Sequence, residues 1–177
     1  MRSNFVVKML FGVVVSCAAA SVALADNTIT FNGQVVEQTC DPISAGGNYT
    51  VNLDQVVASD FQGLSNATLE SISTPFNLEL QNCPASASSV TAELYSNSVD
   101  SKTGNLLSST YGSNVQVQVQ DSKGIKMGVG DNSTTPAASI TNGRASIPLQ
   151  AKYYVVDSTQ VAPGAITVEA TYVLRTQ

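Results

Sequence analysis

The chain has neither histidine nor tryptophan among its 177 residues, and only 12% of its residues are charged. Without histidine there is no Ser-His-Asp or Cys-His catalytic arrangement, no histidine-rich zinc site and no ordinary proton shuttle at neutral pH. The acidic residues are scattered and form no catalytic motif. We therefore expect no enzyme, cofactor, metal site or small-molecule substrate; the alternative of a periplasmic enzyme is opposed mainly by the missing histidine.

Basic residues are also few, and they form no cluster. The formal net charge is −5. Arg2 and Lys8 lie in the segment that we expect to be removed, so the remaining chain is more acidic still. An acidic surface without basic patches predicts no binding to nucleic acid or to anionic lipid.

One long apolar run occurs, at the start of the chain. The basic residues Arg2 and Lys8 lie before this run. After it, Ala23-Leu24-Ala25 has the A-x-A form of a signal-peptidase site. Residues 1–25 are therefore predicted to be a secretory signal peptide that is removed. A lipoprotein signal ending at Cys17 is the alternative, because residues 14–17 have the lipobox shape.

Cysteine is scarce, with three residues in the whole chain. Cys17 leaves with the signal peptide, so Cys40 and Cys83 remain in an exported protein. Two thiols in an oxidising compartment predict one disulfide. Two unpaired buried thiols are the alternative.

Most apolar segments alternate with polar residues at period two, which is typical of half-buried strands. We find no convincing helical period, although residues 55–72 have room for a turn or two. Short strands separated by polar turns predict an all-β sandwich. The strands are predicted around residues 49–53, 76–80, 90–95, 115–119, 147–156 and 166–174. Pro148 is expected to mark an edge or an entry point.

Five stretches of this chain resemble the pilin subunits of chaperone–usher pili, in particular the type 1 pilus family. They are ITFNGQVVEQTC at residues 29–40, PFNLELQNCP at 75–84, NVQVQVQDSKG at 114–124, IPLQAKYY at 147–154 and ATYVLRTQ at 170–177. The resemblance implies an incomplete immunoglobulin-like β-sandwich whose last strand is missing. A donor strand from another chain completes such a sandwich by strand addition.

The resemblance also implies the partners and the domain boundaries. A periplasmic chaperone first fills the groove, an outer-membrane usher receives the complex, and a neighbouring pilin subunit then replaces the chaperone strand. The protein would be exported through the periplasm to a surface fimbrium that mediates adhesion. Residues 26–36 would be the donor-strand extension, and residues 37–177 the pilin domain.

Within the extension, the resemblance assigns alternate residues to the neighbour's groove: Asn27, Ile29, Phe31, Gly33 and Val35. Asn27 departs from the apolar pattern at the outermost position. A rival interpretation remains, because Asn32-Gly33 between alternating flanks is also a strong hairpin pattern. In the hairpin interpretation, the chain turns at Gly33, and Phe31 packs in its own domain.

At the other end, the resemblance implies a strand that lines the groove and contacts the chaperone. Its inward residues would be Ile166, Val168, Ala170, Tyr172 and Leu174. Thr176 departs from the aromatic residue that the family often has one position before the end.

The short start before Thr28 favours a minor tip-adaptor subunit. The stretch at residues 147–154 looks more like a major rod pilin, which is the alternative, and an assembly terminator comes third. A self-contained secreted β-sandwich that acts as a binding module is the rival from another class.

Overall fold

The computed structural model describes residues 39–177, which form antiparallel β-structure. The predicted signal peptide (1–25) and donor-strand extension (26–36) lie outside the described residues, and so do Asn27, Ile29, Phe31, Gly33 and Val35. The strands are β1 (Asp41–Pro42), β2 (Ser65–Thr68), β3 (Thr74–Gln81), β4 (Ser89–Tyr95), β5 (Leu106–Ser108), β6 (Gly112–Asp121), β7 (Ala138–Ser139), β8 (Ala145–Asp157) and β9 (Thr171–Thr176). Short 3₁₀ turns span Ala45–Gly47, Ala58–Phe61 and Ser158–Gln160.

The strands form two sheets. The larger has the order β1-β3-β8-β6-β5, with β2 also paired to β8, and the smaller has the order β7-β4-β9. The core lies between them, where alternate apolar residues of both sheets pack in one cluster, such as Leu80 and Ile147 from the larger sheet and Val90 from the smaller. The all-β sandwich is therefore confirmed.

Strand β8 is central, yet it contains Pro148. Pro148 pairs with Asn77 of β3, whereas pairing with β6 begins only at Leu149. On the β6 side, Pro148 therefore lies just before the ladder starts, where a missing N–H costs no ladder hydrogen bond. This agrees with the predicted entry point.

The cysteines are joined, as predicted: Cys40 and Cys83 form a disulfide across 43 positions of sequence. Cys40 immediately precedes β1 and Cys83 follows β3, and these two strands are paired. Both half-cystines are buried in the core. The bond therefore ties the start of the described domain to the larger sheet.

The polar face of β6 differs from the simplest expectation for an alternating strand. Gln116 and Gln118 are buried rather than exposed. The Asn105 side chain donates to Gln116 Oε1 at 3.0 Å, and Gln118 Nε2 donates to Asn105 Oδ1 at 3.2 Å. Buried amides are stable only when they are paired in this way. Alternation in the sequence could not predict that these two glutamines are buried, because their partner Asn105 belongs to the loop before β5.

Candidate functional site

A long groove of about 1540 Å³ opens between the two sheets. It is larger than typical small-molecule sites, which measure about 300–1,000 Å³. Its floor consists of inward-facing apolar residues of the larger sheet: Phe76, Leu78, Val115, Val117, Val119, Leu149, Ala151 and Tyr153. These side chains belong to the core clusters, and all of them except Phe76 are buried, so the floor of the groove is the apolar inner face of the larger sheet.

The first wall of the groove is the extended segment 48–57. Its residues alternate: Tyr49, Val51 and Leu53 are half-buried, while the residues between them are exposed. Within the described chain this segment has no partner strand, so the strand predicted at 49–53 has the expected pattern without a ladder. It is held from one side instead, by Asp54 N–H donating to Thr74 Oγ1 at 3.2 Å and Tyr153 Oη donating to the Asp54 carbonyl at 3.0 Å.

The second wall is segment 161–170, which leads directly into β9. Ile166 and Val168 are half-buried and line the groove, but Ala170 is exposed. Among the described strands none pairs with this wall. The ladder with β4 starts at Thr171, which pairs with Tyr95. The predicted strand at 166–174 is therefore paired only in its second half, where Tyr172 and Leu174 lie.

Tyrosines join the walls to the rest of the domain at both ends of the groove. At one end, Tyr172 Oη donates to the Gly47 carbonyl at 2.8 Å, and its ring lies 6.1 Å from that of Tyr49. At the other end, Tyr111 Oη donates to the Ala162 carbonyl at 2.7 Å. Burial raises the pKa of Tyr172 above its usual value. The two walls are thus fixed at their ends and unpaired between them.

Gly164 of the second wall packs against Tyr111. A Cβ at this position would lie 2.8 Å from Tyr111 Oη and 3.3 Å from its Cζ. We expect Gly164→Ala to displace Tyr111 and to break its hydrogen bond to Ala162, which costs about 0.5–1.5 kcal/mol of unfolding free energy. Urea unfolding measures this cost.

The matched background for Gly164→Ala is Tyr111→Phe, which removes the hydroxyl alone. If the added methyl group clashes with the hydroxyl, Gly164→Ala should lower the free energy of unfolding clearly less in the Tyr111→Phe background than in wild type. Equal costs in both backgrounds would show that the contact is unimportant.

Behind the groove, β9 carries an ion pair on the face opposite to the floor. Glu93 of β4 is 3% exposed, and its Oε2 accepts from Arg175 Nε at 3.1 Å and from Nη2 at 2.9 Å. Hydrogen bonds from Tyr95 and Arg175 hold the pKa of Glu93 below its usual value. This pair links β9 to β4 through side chains as well as through the ladder.

The ion pair predicts acid sensitivity. Because the folded-state pKa of Glu93 is lowered, its contribution is complete above the unfolded-state value of about 4.5 and is lost as pH falls through the folded-state value. We expect the melting temperature to fall below about pH 4.5, and to fall less steeply in Glu93→Gln. Glu79→Gln, on the outer face of β3, is the control. The same acid slope in Glu93→Gln and wild type would contradict this role.

No cluster of three or more potential metal ligands occurs within residues 39–177. No helix in that part of the chain is long and apolar enough to span a membrane. The features that the described residues do offer are the apolar groove and its two unpaired walls. The sequence indicated the second wall through its period-two pattern, but it missed the role of Tyr111 and the absence of a partner for the first wall.

Fold and groove together define an all-β sandwich with an apolar groove between its two sheets. Residues 29–177 match the family model described as Fimbrial protein. The major fimbrial subunit SMF-1 of Stenotrophomonas maltophilia is 32% identical, over 89% of this chain and 97% of that protein. FimG of Escherichia coli is 32% identical over 81% of each chain. The P pilus rod subunit PapA has a similar fold, with a TM-score of 0.60 at 18% identity, covering 79% of this chain and all of PapA.

The chain therefore belongs to the fimbrial protein family. It is a structural fimbrial subunit, exported and assembled with other pilin subunits into surface fimbriae, and it is not an enzyme.

Proposed function

We propose that the groove accepts an extended strand from another chain, and that residues 26–36 in turn fill the groove of a neighbouring subunit. The observation that carries this proposal is the pair of walls without a ladder on either side of a groove with an apolar floor. Unpaired strand edges and exposed apolar surface both favour the addition of a strand. Strand addition would supply ladder hydrogen bonds to both walls and apolar side chains to the floor.

The dimensions support this occupant. Each wall comprises ten residues without a ladder, which span about 33 Å in extended form. The proposed donor segment 26–36 has a similar length, and its apolar residues Ile29, Phe31 and Val35 recur at period two. The matching period would place them against the floor.

The open groove also supports a role for a chaperone and an usher. A subunit that exposes its core would aggregate in the periplasm unless a strand covered the groove. A chaperone strand would provide that cover until the usher brings the next subunit. The residues that would contact it include Ile166, Val168, Tyr172 and Leu174, with Ala170 at the exposed mouth.

The test is complementation of the refolded full chain. Protein with its disulfide intact is diluted from denaturant, with or without a peptide of sequence 26–36, and its thermal unfolding is followed. We expect aggregation or a low melting temperature without peptide, and a higher melting temperature with saturating peptide. A stable monomer that ignores the peptide would favour the self-contained binding module.

We further propose that this chain is a minor adaptor rather than the major rod subunit, on the basis of the short segment before Thr28. The expected result is that the chain forms a small fraction of the protein in sheared, purified pili. Quantitative mass spectrometry measures that fraction. A chain that dominates the pilus mass would be the rod pilin.

A further inference from the structure

The charges around the groove have one sign. Among the groove-lining residues of the described chain, the charged ones are Asp41 and Glu169, and none is basic. On the first wall, Asp54 is exposed and follows the inward-facing Leu53. An inserted strand would therefore run between Asp54 on one wall and Glu169 on the other.

The basic residues lie elsewhere or are already paired. Arg175 of β9 lies six residues after Glu169 and alternates onto the same face, but two of its nitrogens donate to Glu93. Lys152 is paired with Glu70 on the outer face of the larger sheet. The remaining basic residues of the described chain lie in loops and turns, at Lys102, Lys123, Lys126 and Arg144. The carboxylates of the groove mouth thus have no cation of this domain among the groove-lining residues.

The chain's own donor segment does not supply one. If Ile29, Phe31 and Val35 face the floor, the outward positions next to them include Thr28, Thr30, Asn32 and Gln34, which are uncharged. The segment begins with Asp26, which adds a further negative charge. A second copy of this chain is therefore a poor electrostatic match for its own groove.

We propose that this groove selects the N-terminal segment of a different pilus subunit, one that carries a lysine or arginine among its outward-facing residues. This inference rests on the strand insertion proposed above. Charge complementarity of this kind favours the right partner and speeds encounter more than it raises affinity. The groove would thereby disfavour homopolymers of this chain, as an adaptor position requires.

Peptides that differ at one outward position test the selection. The full chain is refolded with the 26–36 peptide, or with the same peptide carrying Thr30→Lys or Thr30→Glu. At about 10 mM ionic strength, where screening is weak, we expect the Lys peptide to bind roughly five- to tenfold tighter than the Glu peptide, since each exposed pair contributes modestly. In about 0.5 M salt this ratio should shrink toward one.

The carboxylates are tested by Asp54→Asn combined with Glu169→Gln, with Glu79→Gln as a control outside the groove lining. The preference for the Lys peptide should shrink in the double variant, which keeps Asp41, and should persist undiminished in the control. In the intact protein, Thr30→Lys should accelerate self-polymerisation at low salt.

The outcomes separate this inference from the proposed function. If all three peptides raise the melting temperature equally at low salt, strand insertion holds and the charge selection is wrong. If no peptide raises it, the strand-accepting function itself is wrong. If the unmodified peptide binds tightest, the preferred occupant is a second copy of this chain.

Discussion

Phe31→Ala should leave the unfolding temperature of the complemented subunit unchanged while weakening its contact with the next subunit by about 3–5 kcal/mol. Phe31 is the largest side chain among the residues proposed to enter the neighbour's groove. Its removal forfeits the burial of a whole aromatic ring and leaves a cavity at the groove floor. The loss should appear in polymer formation, because the side chain would pack in the neighbour and not at home.

Two measurements are therefore needed on the same variant. Thermal unfolding of the peptide-complemented subunit reports on its own fold, and polymerisation with the neighbouring subunit reports on the contact. Thr30→Ala, at the adjacent outward position, is the matched control and should change neither strongly. A lowered unfolding temperature with normal polymerisation would show that Phe31 packs in its own domain, as the Asn32-Gly33 hairpin interpretation requires.

Removing the disulfide should have an effect of similar size on the subunit itself. Cys40 and Cys83 close a loop with a sequence separation of 43, which corresponds to about 4 kcal/mol in the chain-entropy account. We expect the double substitution Cys40→Ala with Cys83→Ala to lower the melting temperature of the complemented subunit by roughly 10 °C or more.

Reduction of the wild-type protein should reproduce most of this loss, and the reductant should have no effect on the double variant. These paired results separate the effect of the cross-link on the melting temperature from the effect of replacing two buried side chains. A melting temperature that stays unchanged after complete reduction would contradict a stabilising role for the bond.

The strands of the sandwich could be predicted from sequence wherever both ladder partners lie in this chain. Residues 76–80, 115–119 and 147–156 alternate because one face packs in the core, and they form β3, β6 and β8. Alternation reports which face is buried, and it carries no information about whether a partner strand exists. That is why residues 49–53 and 166–170 have the pattern of strands and yet have no ladder in the described structure.

Long-range polar contacts could not be predicted from sequence. Tyr111 donates to the carbonyl of Ala162 across 51 positions, and no local pattern marks either residue. Buried Gln116 likewise depends on Asn105, which reaches it from the loop before β5. Side chains of this kind are placed by the packing of distant segments, whereas periodicity records only local burial.

Amide hydrogen exchange of the dilute, monomeric full chain tests the open groove most directly. Without a donor peptide, the amides of residues 48–57 and 161–170 should exchange rapidly, except those of Asp54, Val57 and Val161, which have hydrogen-bond partners, while those of β3 and β8 remain protected. Saturating peptide should protect both walls together, because an inserted strand would pair with each. Walls that are already protected without peptide, or that stay unprotected when peptide is bound, would contradict the strand-accepting groove.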